Sequence, residues 1–278
     1  MKANKYGGYA DCKVDKRMEG NRMIDCKRYA DEILGSITGY GHLAVISVGE
    51  DPASMSYIKG KRMDCERVGF KFSHYPFPED VNTESLVYTI NLLNNAQDVT
   101  GIIVQLPLPA HLDAEAICNC VAREKDVDGF RPDSPFKPCT PEGVVHILKR
   151  ELGYLTGRHA VIIGRGKLVG KPLQKMLLDE NMTVSVCHSK SNRDDIYDLV
   201  GNADAVILAV GKANVMGFAC LRHDAVVIDC GVNRLDNGKL CGDLAYCNAE
   251  RRTPVPGGVG LMTRAMLMKH VERKNNDA

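Results

Sequence analysis

The chain has 278 residues, enough for two domains that each bury a core of their own. Hydrophobic residues make up 44% and charged residues 26%, the balance of an ordinary globular protein, and 36 basic against 35 acidic side chains leave a formal net charge of +1, which argues against a general nucleic-acid binder. No apolar run is long enough for a membrane span, and the polar start (MKANKYGGYADCKVDKRMEG) lacks the apolar segment of a secretory signal, so a cytoplasmic protein without membrane or nucleic-acid partners is expected.

The first two dozen residues show little periodicity, and partial disorder is expected there. Beyond them, apolar runs of strand length alternate with segments of helical period, the pattern of an α/β fold. Asp25 reads as the cap of a first helix through Tyr29, Ile33 and Leu34. His42 to Val48 (HLAVISV) is a buried strand. Asp51-Pro52 opens a helix to about Val68, with Gly69 past its end. Phe70 to Phe77 is a second strand, Thr83 to Asn95 a helix, Gly101 to Leu106 a third strand and Asp113 to Val121 a short helix.

The segment EKDVDGFRPDSPFKPCTPEG is rich in Pro, Asp and Gly and predicts a loop. Thr140-Pro141-Glu142 reads as a cap for the next helix, which can bridge two domains. The pattern then becomes regular, as in a doubly wound parallel sheet. His159 to Ile163, Thr183 to Cys187, Ala205 to Val210 and Ala225 to Asp229 are strands; Lys171 to Asp179 and a segment ending near Gly201 are helices. A last helix spans Thr263 to Arg273. The 11 cysteines form no C-x-x-C pair, and several, such as Cys187 and Cys230, lie in apolar runs. That distribution predicts reduced, buried thiols and no metal site.

AVIIGRGKLVGKPL sets a strand before Gly164, Gly166 and Gly170 and a helix after them. The first glycine suits a tight turn, the second a close pyrophosphate, and the third close packing of helix on strand. A glycine pattern alone also fits an ordinary strand-to-helix turn. The second strand ends Cys187-His188-Ser189-Lys190, without the carboxylate that commonly holds a ribose 2′-hydroxyl. With Arg165 in the turn, the segment suits a 2′-phosphate and favours NADP.

Tyr57 and Lys61 are four apart in PASMSYIKGKRMDCERVGF and share a helical face, which on geometry alone describes a surface pair. The stretch VGEDPASMSYIKGKRMDCERVG, however, closely resembles the first signature of the bifunctional methylenetetrahydrofolate dehydrogenase/cyclohydrolase family. GIIVQLPLP, KDVDGF with PCTPEGV, and TPVPGGVGLMT resemble further signatures of that family, in the same order. The resemblance runs from about Ile24 to the final helix. It implies an N-terminal α/β substrate domain (1–140 and 258–278), an inserted Rossmann-like domain (141–257), an active-site cleft between them, and a homodimer paired through the Rossmann-like domains.

Roles follow from the resemblance residue by residue. Tyr57 stacks on the folate, Lys61 is the central catalytic group, and Gln105 positions it. Asp128 binds the pterin ring, which offers a ring N–H and an exocyclic amine to one carboxylate. Pro256, Gly257 and Gly258 belong to a loop near both ligands. Thr140, Gly164, Arg165, Gly166, Ser189 and Val232 line the cofactor site. The implied chemistry is hydride transfer from 5,10-methylenetetrahydrofolate to NADP, then hydrolysis of the methenyl product to 10-formyltetrahydrofolate.

Two positions depart from the family pattern. Gly166 stands where serine is usual, and Leu261 where proline is usual. The alternatives are a monofunctional NAD-dependent dehydrogenase, another NADP-dependent oxidoreductase of two-domain form, and a folate- or nucleotide-binding protein without turnover. The set Tyr57, Lys61, Gln105 and Asp128 favours the bifunctional enzyme.

Overall fold

The computed structural model describes residues 22–218 and 221–274. The expectation for the first two dozen residues therefore falls almost wholly outside the described part. The N-terminal half holds β1 (Arg22–Met23), α1 (Cys26–Gly35), β2 (His42–Val48), α2 (Pro52–Val68), β3 (Lys71–Phe77), α3 (Thr83–Asn95), β4 (Gly101–Val104) and α4 (Ala114–Cys118). After a 3-10 turn at Arg123–Lys125 come α5 (Cys139–Leu152), β5 (His159–Ile163), α6 (Gly170–Asp179), β6 (Thr183–Cys187), α7 (Arg193–Gly201) and β7 (Ala205–Leu208). The remainder is β8 (Met216–Phe218), β9 (Val226–Asp229), β10 (Asn233–Arg234), β11 (Leu240–Cys241), β12 (Leu244–Cys247), β13 (Arg251–Arg252) and α8 (Val259–Val271).

Two parallel sheets organise the molecule. The first has the order β3-β2-β4, with the fully buried β2 at its centre. A strand covered on both faces has no polar side to show, which is why HLAVISV reads as a continuous apolar run. The second sheet has the order β1-β13-β9-β7-β5-β6 and is parallel at every pairing. From β5 the chain adds β6 on one side and β7 on the other. The order reverses there, and the crevice at the carboxyl ends of β5 and β7 is where ligands bind in such sheets.

Local chemistry fixes the helices. Asp51 accepts from Ser54 N at 2.7 Å and caps α2, and Pro52 occupies its first turn. Gly69, at φ 76°, ends it in the left-handed region that L side chains rarely adopt. Asp25 caps α1 through Arg28 N. The inner face of α2 is unusual: with Ile58, Gly60 and Cys65 it buries Lys61 and Asp64. Two buried ionisable side chains on one helix face argue for a site rather than a plain core contact.

One apolar core joins α1, α5 and α8 and reaches Ile162, Ile207 and Ile228 of the second sheet. Separate clusters pack α3 and α4 against the first sheet and α7 against the second. Because α5 packs on both α8 and α6, it holds the two halves together, as its bridging position suggested.

The structure corrects several boundaries. α5 begins at Cys139 behind Pro138, so Thr140 lies inside its first turn; it is not a cap, and its Oγ1 meets Thr263 Oγ1 at 3.0 Å instead. β4 stops at Val104, leaving Gln105 on the loop that follows. α8 begins at Val259, four residues before the expected Thr263, because Gly258 allows a turn that leads straight into the helix. β1 precedes the first sheet in sequence yet adds to the edge of the second, a parallel pairing that only tertiary structure creates.

Candidate active site

A cavity of about 580 Å³ opens between the two sheets. The first half contributes Tyr57 and Lys61 from α2, Gln105 from the end of β4, and Asp128. The second contributes Leu168, Asp229, Val232 and the loop Pro254 to Gly258. Thr140, Pro256, Gly257 and Gly258 also line it, so nine of the sequence-derived site residues meet in one space: these four with Tyr57, Lys61, Gln105, Asp128 and Val232.

Lys61 is 7% exposed, and its Nζ donates to Gln105 Oε1 at 2.9 Å. Gln105 Nε2 donates in turn to Leu106 O at 2.8 Å, which fixes the amide with its oxygen toward the lysine. Burial holds the Lys61 amine below the ordinary lysine range, against the opposing pull of the Asp128 carboxylate. An amine lowered in this way gives up its proton more readily than an exposed lysine does. Burial also raises the Tyr57 phenol, which keeps its ring neutral.

Of the two aspartates in KDVDG, only Asp128 lines the cavity. Asp126 is 5% exposed and accepts from the backbone of Phe130 and Arg131, the latter at 2.9 Å, so it shapes the loop. On the opposite wall, Gly257 has φ 92°, and a β-carbon on Gly258 would lie 2.2 Å from Pro254 O. Only glycine fits at Gly258.

Gly164, Arg165, Gly166 and Ser189 lie outside this cavity, at the carboxyl ends of β5 and β6. Gly164 has φ 122°, and a β-carbon there would lie 2.2 Å from Ala209 O. A β-carbon on Gly170 would lie 2.4 Å from Gly164 O, so the third glycine does let α6 close on the turn. Ile163 pairs with Cys187, and Arg165 and Ser189 each follow two residues later, both exposed in the loops that leave these adjoining strands. A β-carbon on Gly166 would meet nothing within 4 Å. These residues form a cradle that fits a dinucleotide: open backbone at the turn, a helix start behind it, and an exposed cation and an exposed hydroxyl in the loops after two paired strands.

Four residues of the site were not singled out in the sequence. Arg264 of α8 lines the cavity and pairs with Asp64 of α2, with Oδ2 2.8 Å from Nε, at ion-pair distance but without in-line hydrogen-bond geometry. The available signals were Asp64 on the Tyr57/Lys61 face and a lone charge in GLMTRAMLM. Asp229 and Asp243 are buried behind the crevice. Asp243 accepts from the backbone of Val210, Gly211 and Lys212 at 2.7 to 2.9 Å, and Asp229 accepts from Gly231, Asp243 and Leu244. Their sequence context showed only strand and turn residues.

The fold and cleft define a two-domain α/β protein with a catalytic domain and a dinucleotide-binding domain. The chain belongs to the tetrahydrofolate dehydrogenase/cyclohydrolase family: residues 24–128 match the family's catalytic domain and residues 138–277 its NAD(P)-binding domain. It is 44% identical to the bifunctional protein FolD of Bacillus cereus over 90% of this chain and 93% of the relative. The crystal structure of the bifunctional FolD enzyme from Campylobacter jejuni superposes with a TM-score of 0.79 at 38% identity, covering 90% of this chain and 96% of that one. The Trypanosoma brucei enzyme, solved with NADP and an inhibitor, gives 0.84 at 30% identity, covering 90% and 95%.

Proposed function

We propose that this protein oxidises 5,10-methylenetetrahydrofolate with NADP and then hydrolyses the methenyl product to 10-formyltetrahydrofolate. The observation that carries the reading is the buried Lys61 amine, held by Gln105 at 2.9 Å in a cavity that also contains Tyr57 and Asp128. Family membership and the similarity to bifunctional relatives support it.

Tyr57 offers a flat apolar face to the folate, and Asp128 accepts from the pterin N–H and exocyclic amine. Together they set the one-carbon bridge at the boundary between cavity and crevice. When bound, NADP supplies the hydride acceptor. Gly164 and Gly166 admit its pyrophosphate to the backbone, Arg165 and Ser189 face its 2′-phosphate, and Thr140 and Val232 border the nicotinamide end.

In the second step, water adds to the methenyl carbon and the bond from that carbon to N5 breaks. Lys61 takes the proton that the water loses on adding and delivers it to N5 as the C–N5 bond breaks; the second proton leaves the carbinol oxygen for solvent, which discharges the methenyl cation and leaves the formyl group on N10. Gln105 keeps the amine on this path. A cytoplasmic homodimer paired through the second domains completes the reading, and the exposed Val215 and Tyr246 near the β8–β12 pair favour that contact.

The test follows methenyl absorbance with 5,10-methylenetetrahydrofolate and either NADP or NAD. Methenyl that forms with NADP and decays faster than an enzyme-free control supports both steps. Accumulation with decay at the control rate leaves a dehydrogenase alone, and no methenyl with either cofactor overturns the reading.

A further inference from the structure

Arg264 enters the cavity wall from α8 beside Lys61, and α2 is shaped to receive it. Gly60, the residue before Lys61, has no side chain, and a β-carbon there would lie 1.7 Å from Arg264 Nη1. One helical turn later, Asp64 is 9% exposed and lies 2.8 Å from Arg264 Nε. A buried ion pair adds little stability over apolar residues of the same shape, so stability alone does not explain building one here.

The surroundings of Lys61 suggest a use. It faces Cys65 on its own helix, Gln105 after β4, Asp128 on the loop before α5, Cys139 on α5 and Arg264 on α8. Gln105 carries no charge, and burial keeps both thiols protonated, pushing Cys65 up to about 12 and Cys139 well above the thiol range. Asp128 and Arg264 are therefore the charges that face the amine. Asp64 sits three residues after Lys61, within reach on the same helix face, but Arg264 engages it.

We infer that Arg264, seated over Gly60 and tied to Asp64, is a positioning residue for the proton-transfer step: it keeps the Asp64 carboxylate from capturing Lys61 and leaves the amine facing Gln105 and the cavity. This rests on Lys61 as the proton carrier.

The experiment measures the pH profile of methenyltetrahydrofolate hydrolysis for the full-length protein and for Arg264→Met, Gly60→Ala, Arg264→Met with Asp64→Asn, and Lys61→Met. In Arg264→Met the freed carboxylate stabilises the ammonium, so the acid limb moves up by about one pH unit. Activity on that limb falls about tenfold and recovers at higher pH. Gly60→Ala displaces the guanidinium without deleting it and shifts the limb the same way, which keeps the test available if Arg264→Met does not fold. Adding Asp64→Asn to Arg264→Met moves the limb back toward wild type. Loss of activity by one factor at every pH, with the limb unmoved, overturns the inference and leaves Arg264 a packing residue. Hydrolysis that persists in Lys61→Met instead removes the reading of Lys61 on which the inference stands.

Discussion

Lys61 Nζ donates to Gln105 Oε1 at 2.9 Å, joining a helix and a strand end 44 residues apart in the chain. Only one of the amide's two ends can accept this bond, and the Leu106 carbonyl holds the other end away. The pair makes a buried amine into a directed one. Lys61→Met keeps the side chain's bulk and removes its nitrogen. Hydrolysis of the methenyl compound is expected to fall by about 10²- to 10⁴-fold, the usual contribution of a positioned acid–base group. NADP affinity, measured by fluorescence titration, stays near wild type.

The same variant should alter stability with a definite sign. Burial lowers the Lys61 pKa in the folded protein, so between that value and the ordinary lysine value of about 10.4 the unfolded chain binds more protons than the native one. Wild-type stability therefore rises with pH across that window, and the cost of burying the amine is greatest below it. Lys61→Met melts at a higher temperature than wild type near neutral pH, and the difference shrinks as pH approaches 10.4. Thermal melts at several pH values check this, and a gap that does not narrow contradicts it.

Gly166 replaces the family's usual serine, and a side chain there meets nothing within 4 Å. Gly166→Ser is therefore expected to fold normally and add a hydroxyl beside Arg165. A hydrogen bond to a charged group contributes about 1.5–3 kcal/mol, which corresponds to roughly tenfold or more in affinity. The ratio of kcat/KM for NADP over NAD should rise accordingly. Arg165→Ala should lower the same ratio, because a guanidinium is suited to a phosphate and adds little for a bare hydroxyl.

Asp243 is fully buried and ties down the loop after β7 through three backbone N–H groups. Asp243→Ala strands those donors beside the crevice. Val210, Gly211 and Lys212 are exposed, so water takes over part of what these bonds supply, and urea denaturation should show a loss of about 1–3 kcal/mol. The KM for NADP should rise more than the KM for folate, since the loop borders the second domain's crevice.

Asp128→Asn keeps the shape of the carboxylate and removes its charge. The folate KM is expected to rise about tenfold or more, because one of the two pterin N–H groups then faces a donor. Removing that anion also lowers the Lys61 pKa further, so the acid limb of the hydrolysis profile moves down.

Much of this protein was determined by local sequence. The caps at Asp25 and Asp51, the left-handed Gly69 and the buried runs of β2 and β5 each depend on neighbouring residues, and each element fell where its pattern placed it. The glycine turn was legible in part for the same reason: a β-carbon at Gly170 would meet the Gly164 carbonyl six residues back, whereas the Ala209 carbonyl that crowds Gly164 arrives from the end of β7. Tyr57, Lys61, Gln105 and Asp128 were legible through their resemblance to a family, whereas helix geometry alone describes Tyr57 and Lys61 as a surface pair. What the tertiary structure decided is which charges face each other. Asp64 and Arg264 lie 200 positions apart, and no local pattern couples them. The same holds for Asp243 with the loop at Val210, and for Arg22–Met23 on the edge of a sheet formed from the far half of the chain. Propensity acts over a few residues, while ion pairing and burial act between surfaces that only the folded chain brings together.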